Sequence, residues 1–167
     1  CHDSFLYNVL EAFKDNFYAE NCKHKNRALY YNRALYSPNV FFFKNNQTIT
    51  ADVITCACPN KSAAQKYRNV KDEENTKYLK SRIKFVLEIA KQNHVKSLIL
   101  GAYGCGVFGQ DPKEVAKIFK EYLTTTYNGC FKEIIFAIPN KESQNYKAFE
   151  ETFADLHKEQ NYEMEKD

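Results

Sequence analysis

Four of the chain's five glycines, Gly101, Gly104, Gly106 and Gly109, fall within nine residues of SLILGAYGCGVFGQDPKEVAKIFK, the segment from Ser97 to Lys120. They lie between an apolar run that reads as a buried strand and an amphipathic pattern that reads as a helix. A turn of this kind can face backbone N–H groups toward an anion, and glycine lets a diphosphate come close to the main chain. The helix start is marked by Asp111 as N-cap, Pro112 at the first helical position and Glu114 at capping-box spacing. No Walker-type lysine accompanies the glycines, and the P-loop and Rossmann readings are set aside. For one or two glycines a tight strand-to-helix turn suffices. Four, with Tyr103 and Phe108 between them, favour phosphate binding.

The other chemically capable residues form no constellation. The six cysteines are Cys1, Cys22, Cys56, Cys58, Cys105 and Cys130. Cys22-Lys23-His24 and Cys56-Ala57-Cys58 lack the spacing and matching half of a structural zinc motif, so no metal is expected. Cys105 has no histidine near it in sequence to act as a base, which makes it a packing residue rather than a nucleophile. His2, His24, His94 and His157 are scattered. Glu73 and Glu74 precede a helix, where carboxylates meet the helix dipole favourably, and Glu11 and Glu20 have no partner carboxylate. Tyr30, Tyr31, Tyr36 and Phe41 to Phe43 form the densest candidate for an adenine platform, flanked by Arg27 and Arg33, although most such aromatics are core.

The elements that must position the glycine turn follow from the apolar pattern. Strands are expected at Val40 to Phe43, Asp52 to Cys56, Ser97 to Leu100 and Glu133 to Ile138, three of them continuous apolar runs suited to a sheet covered on both faces. Helical spacing appears at Phe5 to Phe13, Tyr78 to Lys91, Val115 to Leu123, and more weakly through Tyr146, Phe149 and Phe153. The chain turns polar near Leu156, where a frayed tail is expected. At 167 residues, 44% apolar and 15% aromatic, the chain suits one domain with a packed core. A net charge of +3 spread along the chain is not the footprint of a nucleic-acid binder. No run is long enough to span a bilayer, no secretory signal is visible, and reduced thiols suit a cytoplasmic location.

With the residues laid out, GAYGCGVFGQDPKEVAKIF closely resembles the diphosphate-binding loop and following helix of the microbial-type poly(ADP-ribose) glycohydrolases, a branch of the macrodomain fold. The blocks CHDSFLYNVL, LYSPNVFFFKN, DVITCACPN and FKEIIFAIPNKESQNYKAFEETF resemble that family in order, covering about 150 of the 167 residues. The resemblance implies a three-layer α/β/α sandwich with a mixed central sheet, incomplete at its N-terminus, over residues 1–155, with 156–167 a polar tail. Val53, Leu98 and Ile135 should then lie in one sheet, with the helices after Tyr78 and Val115 on its faces, and strands placed in separate sheets would remove the assignment.

The family's Gly-Gly-Gly loop and Gln-Glu-Glu run would fall just before Cys1 and are not in this sequence. The chain as given is therefore read without catalytic residues and is expected to be inactive alone, since loss of a general acid costs about 10²- to 10⁴-fold. By resemblance, backbone N–H groups of Gly104, Cys105, Gly106 and Val107 would clamp the diphosphate. Phe108 would pack on the distal ribose, and Asn60 would offer a polar contact unless it only makes a Pro-Asn turn. A side chain at Gly104 or Gly106 should intrude on the ligand or strain a glycine-only backbone. The implied ligand is ADP-ribose or poly(ADP-ribose), with ADP-ribosylated proteins as partners and no cofactor, membrane or direct nucleic acid. The implied activity is hydrolysis of ribose–ribose bonds once the glutamate loop is supplied; the alternative is a module that binds ADP-ribose without cleaving it.

Overall fold

The segment LYSPNVFFFKNNQTITADVIT folds back on itself because its middle supplies a two-residue turn. Asn45 and Asn46 both have positive φ (49° and 60°), the mirror-image turn geometry whose twist matches that of paired strands. Around it β1 (Leu35–Lys44) and β2 (Gln47–Thr55) pair antiparallel, Lys44 opposite Gln47 and Leu35 opposite Thr55. A bulge falls between Ser37 and Val40. There the Asp52 carboxylate accepts from the Asn39 N–H at 2.8 Å and from the Tyr36 hydroxyl. Both strands are longer than their apolar runs predict, because the alternating Thr and Ile of Gln47–Ala51 pair without being buried. This hairpin belongs to a computed structural model that describes residues 27–164, with side chains through 156. The expected helix at Phe5 to Phe13, together with Cys1, Cys22, His2, His24, Glu11, Glu20 and the His157 side chain, lies outside the described residues.

Four helices and a second strand pair follow: α1 (Lys61–Arg68), α2 (Asp72–Gln92), β3 (Ser97–Leu100), α3 (Pro112–Thr124), β4 (Glu133–Phe136) and α4 (Gln144–Met164). Helix α1 was not legible as a periodic pattern; it forms because Asn60 caps it, its carboxamide oxygen accepting the Ala63 N–H at 3.0 Å. Helix α2 starts earlier than its apolar stripe, with Asp72, Glu73 and Glu74 in the first turn where they complement the dipole. Glu74 is also ion-paired with Arg27. Asp111 caps α3 through the Lys113 N–H at 2.9 Å. Glu114 does not close a capping box; its carboxylate takes the Thr76 hydroxyl and ties α3 to α2. Helix α4 runs through Leu156 to Met164 instead of fraying there, since residues 156–164 contain no Gly or Pro and are rich in good helix formers.

The core joins Leu79, Ile83 and Leu87 of α2 to Leu98 of β3, Val115 and Phe119 of α3, and Phe149 of α4. Burying each such side chain contributes about 2 kcal/mol. Phe136 of β4 meets Phe119, Phe149 and Phe153 at ring distances of 5.5, 5.0 and 5.0 Å. These contacts cover one face of the parallel β3–β4 pair, in which Ile99 lies opposite Ile135. On the other face Ile99 is 74% and Ile135 45% exposed.

The single mixed sheet expected from the sequence is not formed among the described residues. Val53 lies in the β1–β2 hairpin, while Leu98 and Ile135 lie in the β3–β4 pair. At the junction, side chains rather than a strand ladder satisfy the backbone. The Cys56 carbonyl accepts from the Tyr103 hydroxyl at 2.9 Å, and the Ala57 carbonyl accepts from the Arg82 guanidinium. Among the described residues no helix is long and apolar enough to cross a membrane.

Candidate functional site

The glycine turn leaves the C-terminal end of β3 and is docked at three points, two on the chain between β2 and α1 and one on the first turn of α1. Tyr103 reaches the Cys56 carbonyl, the Phe108 carbonyl accepts from the Ser62 N–H at 3.0 Å, and the Gln110 amide donates to the Pro59 carbonyl at 2.8 Å. Inside the turn, Cys105 N–H donates to Ala102, Gly109 N–H to Gly106 and Gln110 N–H to Gly104, at 3.1, 3.0 and 3.0 Å. Among the described residues nothing accepts the N–H groups of Gly106, Val107 or Phe108. Three consecutive unpaired donors are the kind of arrangement that can receive an anion where they converge. The Cys105 N–H, expected in such a clamp, is already committed to Ala102.

The glycines do different work. Gly104 (φ 75°) is packed so tightly that an added Cβ would sit 2.3 Å from Cys58 Sγ and 2.8 Å from Gln110 Cγ. Gly109 (φ 70°) would place a Cβ 2.2 Å from Ser62 Oγ. Gly106 has neither a positive φ nor any atom within 4 Å of its Cβ direction. The expectation of a glycine-only backbone at Gly106 is therefore corrected: that conformation belongs to Gly104 and Gly109, and Gly106 opens onto free space. Val107 beside it is 77% exposed.

Gly104, Gly106 and Gly109 stand at Gly-x-Gly-x-x-Gly spacing, so the missing Walker-type lysine speaks against a P-loop but not against the Rossmann reading. Geometry does. In the dinucleotide fingerprint the third glycine allows close helix–strand packing. Here Gly109 is a turn residue packed on Ser62 of α1, and α3 starts only at Pro112.

Asn60 is buried, with its carboxamide oxygen spent on the α1 cap and its N–H donated to the Ala28 carbonyl at 3.0 Å. The structure thus places it beneath the turn. The Phe108 ring lies 6.1 Å from Tyr30, tilted by 41°. Of the aromatic region, Phe41 and Phe43 stack on one another at 6.4 Å, and Arg33 sits over Tyr31. Sequence reasoning missed Asn75, Arg82 and Gln110, which are buried polar residues. Nothing in their spacing marks them, because Asn75 and Arg82 read as ordinary polar residues of α2 and Gln110 as a turn residue until burial brings them together.

The thiols near the turn are inert by position. Burial, with the Asp111 charge as a smaller contribution, pushes Cys105 up to about 12. Burial also raises Cys58, against the opposing Arg82 charge. Both keep their protons where an unfolded thiol, near ~8.5, would ionise. Stability should therefore fall as pH rises above that value. Folded protein treated with iodoacetamide at pH 8 should be alkylated at half-buried Cys105 more slowly than after unfolding; equal rates by mass spectrometry would refute the raised Cys105 thiol. The four described cysteines are unpaired, and no metal-binding group of His, Cys, Asp or Glu occurs among the described residues. A separate cavity of about 500 Å³ between α2 and α3 mixes Lys80, Lys113 and Lys117 with Asp111, Glu114 and Glu121, and so favours no anion.

The Macro domain family matches residues 37–119. Among solved structures, poly(ADP-ribose) glycohydrolase of Deinococcus radiodurans in complex with ADP-ribose is similar, with 31% identity and a TM-score of 0.77 over 83% of this chain and 59% of that one. Its apo form gives 31% and 0.78 over 84% and 61%. The Thermomonospora curvata enzyme bound to the inhibitor ADP-HPD gives 30% and 0.75 over 89% and 58%. No curated protein sequence matches. The chain spans about three fifths of the length of these solved relatives. Such agreement over most of the chain makes single-sheet pairing too strict a test of the fold. With family pattern, fold and glycine turn in accord, the chain has the macrodomain fold and is similar to the microbial poly(ADP-ribose) glycohydrolases.

Proposed function

We propose that the turn from Gly104 to Phe108 binds the diphosphate of ADP-ribose, and that the chain is the ligand-holding part of a poly(ADP-ribose) glycohydrolase-type domain. The observation that carries this is the run of three unpaired N–H groups at Gly106, Val107 and Phe108, opening onto free space at Gly106. Relatives solved with ADP-ribose support the choice of anion.

Hydrolysis of a ribose–ribose bond needs a carboxyl group to protonate the leaving oxygen and an activated water to complete the substitution. In this reading the turn contributes position: holding the diphosphate fixes the distal ribose against that acid. Hydrolysis is proposed only where a Gln-Glu-Glu run supplies that acid. Poly(ADP-ribose) and ADP-ribosylated proteins are the partners, and the cytoplasm the location.

The test is calorimetric titration of ADP-ribose into the protein, with AMP and ribose 5-phosphate as comparisons that lack the diphosphate. Saturable ADP-ribose binding at least about tenfold tighter than AMP is expected. Equal affinities would sink the diphosphate assignment.

A further inference from the structure

Buried polar side chains are costly unless satisfied, and where they collect tells what the fold must hold still. Among the described residues four are buried, Asn60, Asn75, Arg82 and Gln110. Three of them lie in or bond to one short segment, Ala57 to Asn60, against which the glycine turn is docked, and Asn75 joins them through Gln110. Arg82 donates to the Ala57 carbonyl, to Leu29 at 3.3 Å and to Asn32 at 2.8 Å. Asn60 caps α1 from within the segment. Gln110 and Asn75 form a reciprocal carboxamide pair at 2.9 and 3.0 Å, and Gln110 also reaches the Pro59 carbonyl. That last bond requires a nitrogen facing Pro59, so the Gln110 oxygen must face Asn75 and the orientation of both amides is settled.

Gln110 is also where the turn closes on itself. Its backbone N–H donates to the Gly104 carbonyl, and its Cγ lies 2.8 Å from where a Cβ on Gly104 would sit. We infer that Gln110, locked to Asn75 of α2, is the positioning residue that holds the unpaired N–H groups of Gly106 to Phe108 ready for the diphosphate. The inference rests on the proposed ligand. Without the pair, apolar packing still fills the volume, but nothing selects one orientation of the turn, and only the competent fraction binds.

The separating variant is the double substitution Asn75→Leu with Gln110→Met. It replaces both partners by apolar groups of similar shape, a change that leaves stability nearly unaltered. The Pro59 carbonyl keeps the Lys61 N–H at 3.2 Å. The unfolding midpoint should stay close to that of wild type, and ADP-ribose affinity should fall about tenfold, equivalent to one molecule in ten holding the turn correctly. Amide exchange should quicken at Ser62, Cys105, Gly109 and Gln110, whose bonds close and dock the turn, while α2 and α3 keep their protection. A structural role alone would move the midpoint and every amide together.

Should the double variant fail to fold, Gln110→Asn keeps the amide but is one methylene too short to reach both Pro59 and Asn75, and the same turn-specific exchange is expected. Unchanged exchange at the four amides, or faster exchange with unchanged affinity, overturns the inference. If the wild-type protein does not bind ADP-ribose, the ligand reading fails by itself, and the exchange data still decide whether Gln110 positions the turn.

Discussion

A Gly106→Glu variant should fold like the wild type and lose at least about 2 kcal/mol of ADP-ribose binding, roughly 30-fold in affinity. The structure makes this cleaner than the sequence suggests. Gly106 is not in the left-handed region, and its Cβ direction meets no atom within 4 Å, so the new side chain strains nothing. It enters the space in front of the three free N–H groups and brings a carboxylate to where the diphosphate would sit. Repulsion there is weakly screened, and the N–H groups lose their charged acceptor. Gly106→Ala should leave the stability within ~0.5 kcal/mol of wild type. Glu73→Gln, an exposed change in the first turn of α2, controls for altered charge. Calorimetry and circular dichroism on all three give the answer. A folded Gly106→Glu protein with undiminished affinity would reduce the glycine cluster to a turn.

Two residues earlier the same kind of substitution should act on the fold instead. Gly104→Ala is expected to cost about 3 kcal/mol of stability, combining a left-handed backbone with overpacking. Its Cβ would lie 2.3 Å from the sulfur of buried Cys58 and 2.8 Å from Gln110 Cγ, so neither neighbour can yield without disturbing the core or the Asn75 pair. Cys58→Ala in the same chain removes the nearer obstruction. The double variant should therefore be more stable than the sum of the single effects, by more than ~0.5 kcal/mol of coupling. Urea denaturation of the four proteins measures the cycle. Additive effects, or a Gly104→Ala protein as stable as wild type, would refute the close packing of the turn on Cys58.

The sequence by itself determined the local features whose causes are local. Continuous apolar runs announced β3 and β4, helical spacing announced α2, α3 and α4, and Asp111-Pro112 marked the start of α3. The glycine cluster announced a turn able to approach an anion, and its resemblance to the macrodomain family led to the fold that the relatives share. What joins distant segments was decided only in three dimensions. Asn75 and Gln110 lie 35 residues apart and read as ordinary helix-surface and loop residues until burial pairs them. Arg82 reads as one more charge on α2, yet it is fully buried against backbone carbonyls. Strand composition could not say that β2 would pair with β1 and not with β3, because ladder partners are chosen by turn geometry and by competing donors such as Tyr103 and Arg82. Nor could it say that Gly104 is packed shut while Gly106 stands open: both are glycines in one turn, and only the position of Cys58, 46 residues before the first of them, separates structural necessity from room for a ligand.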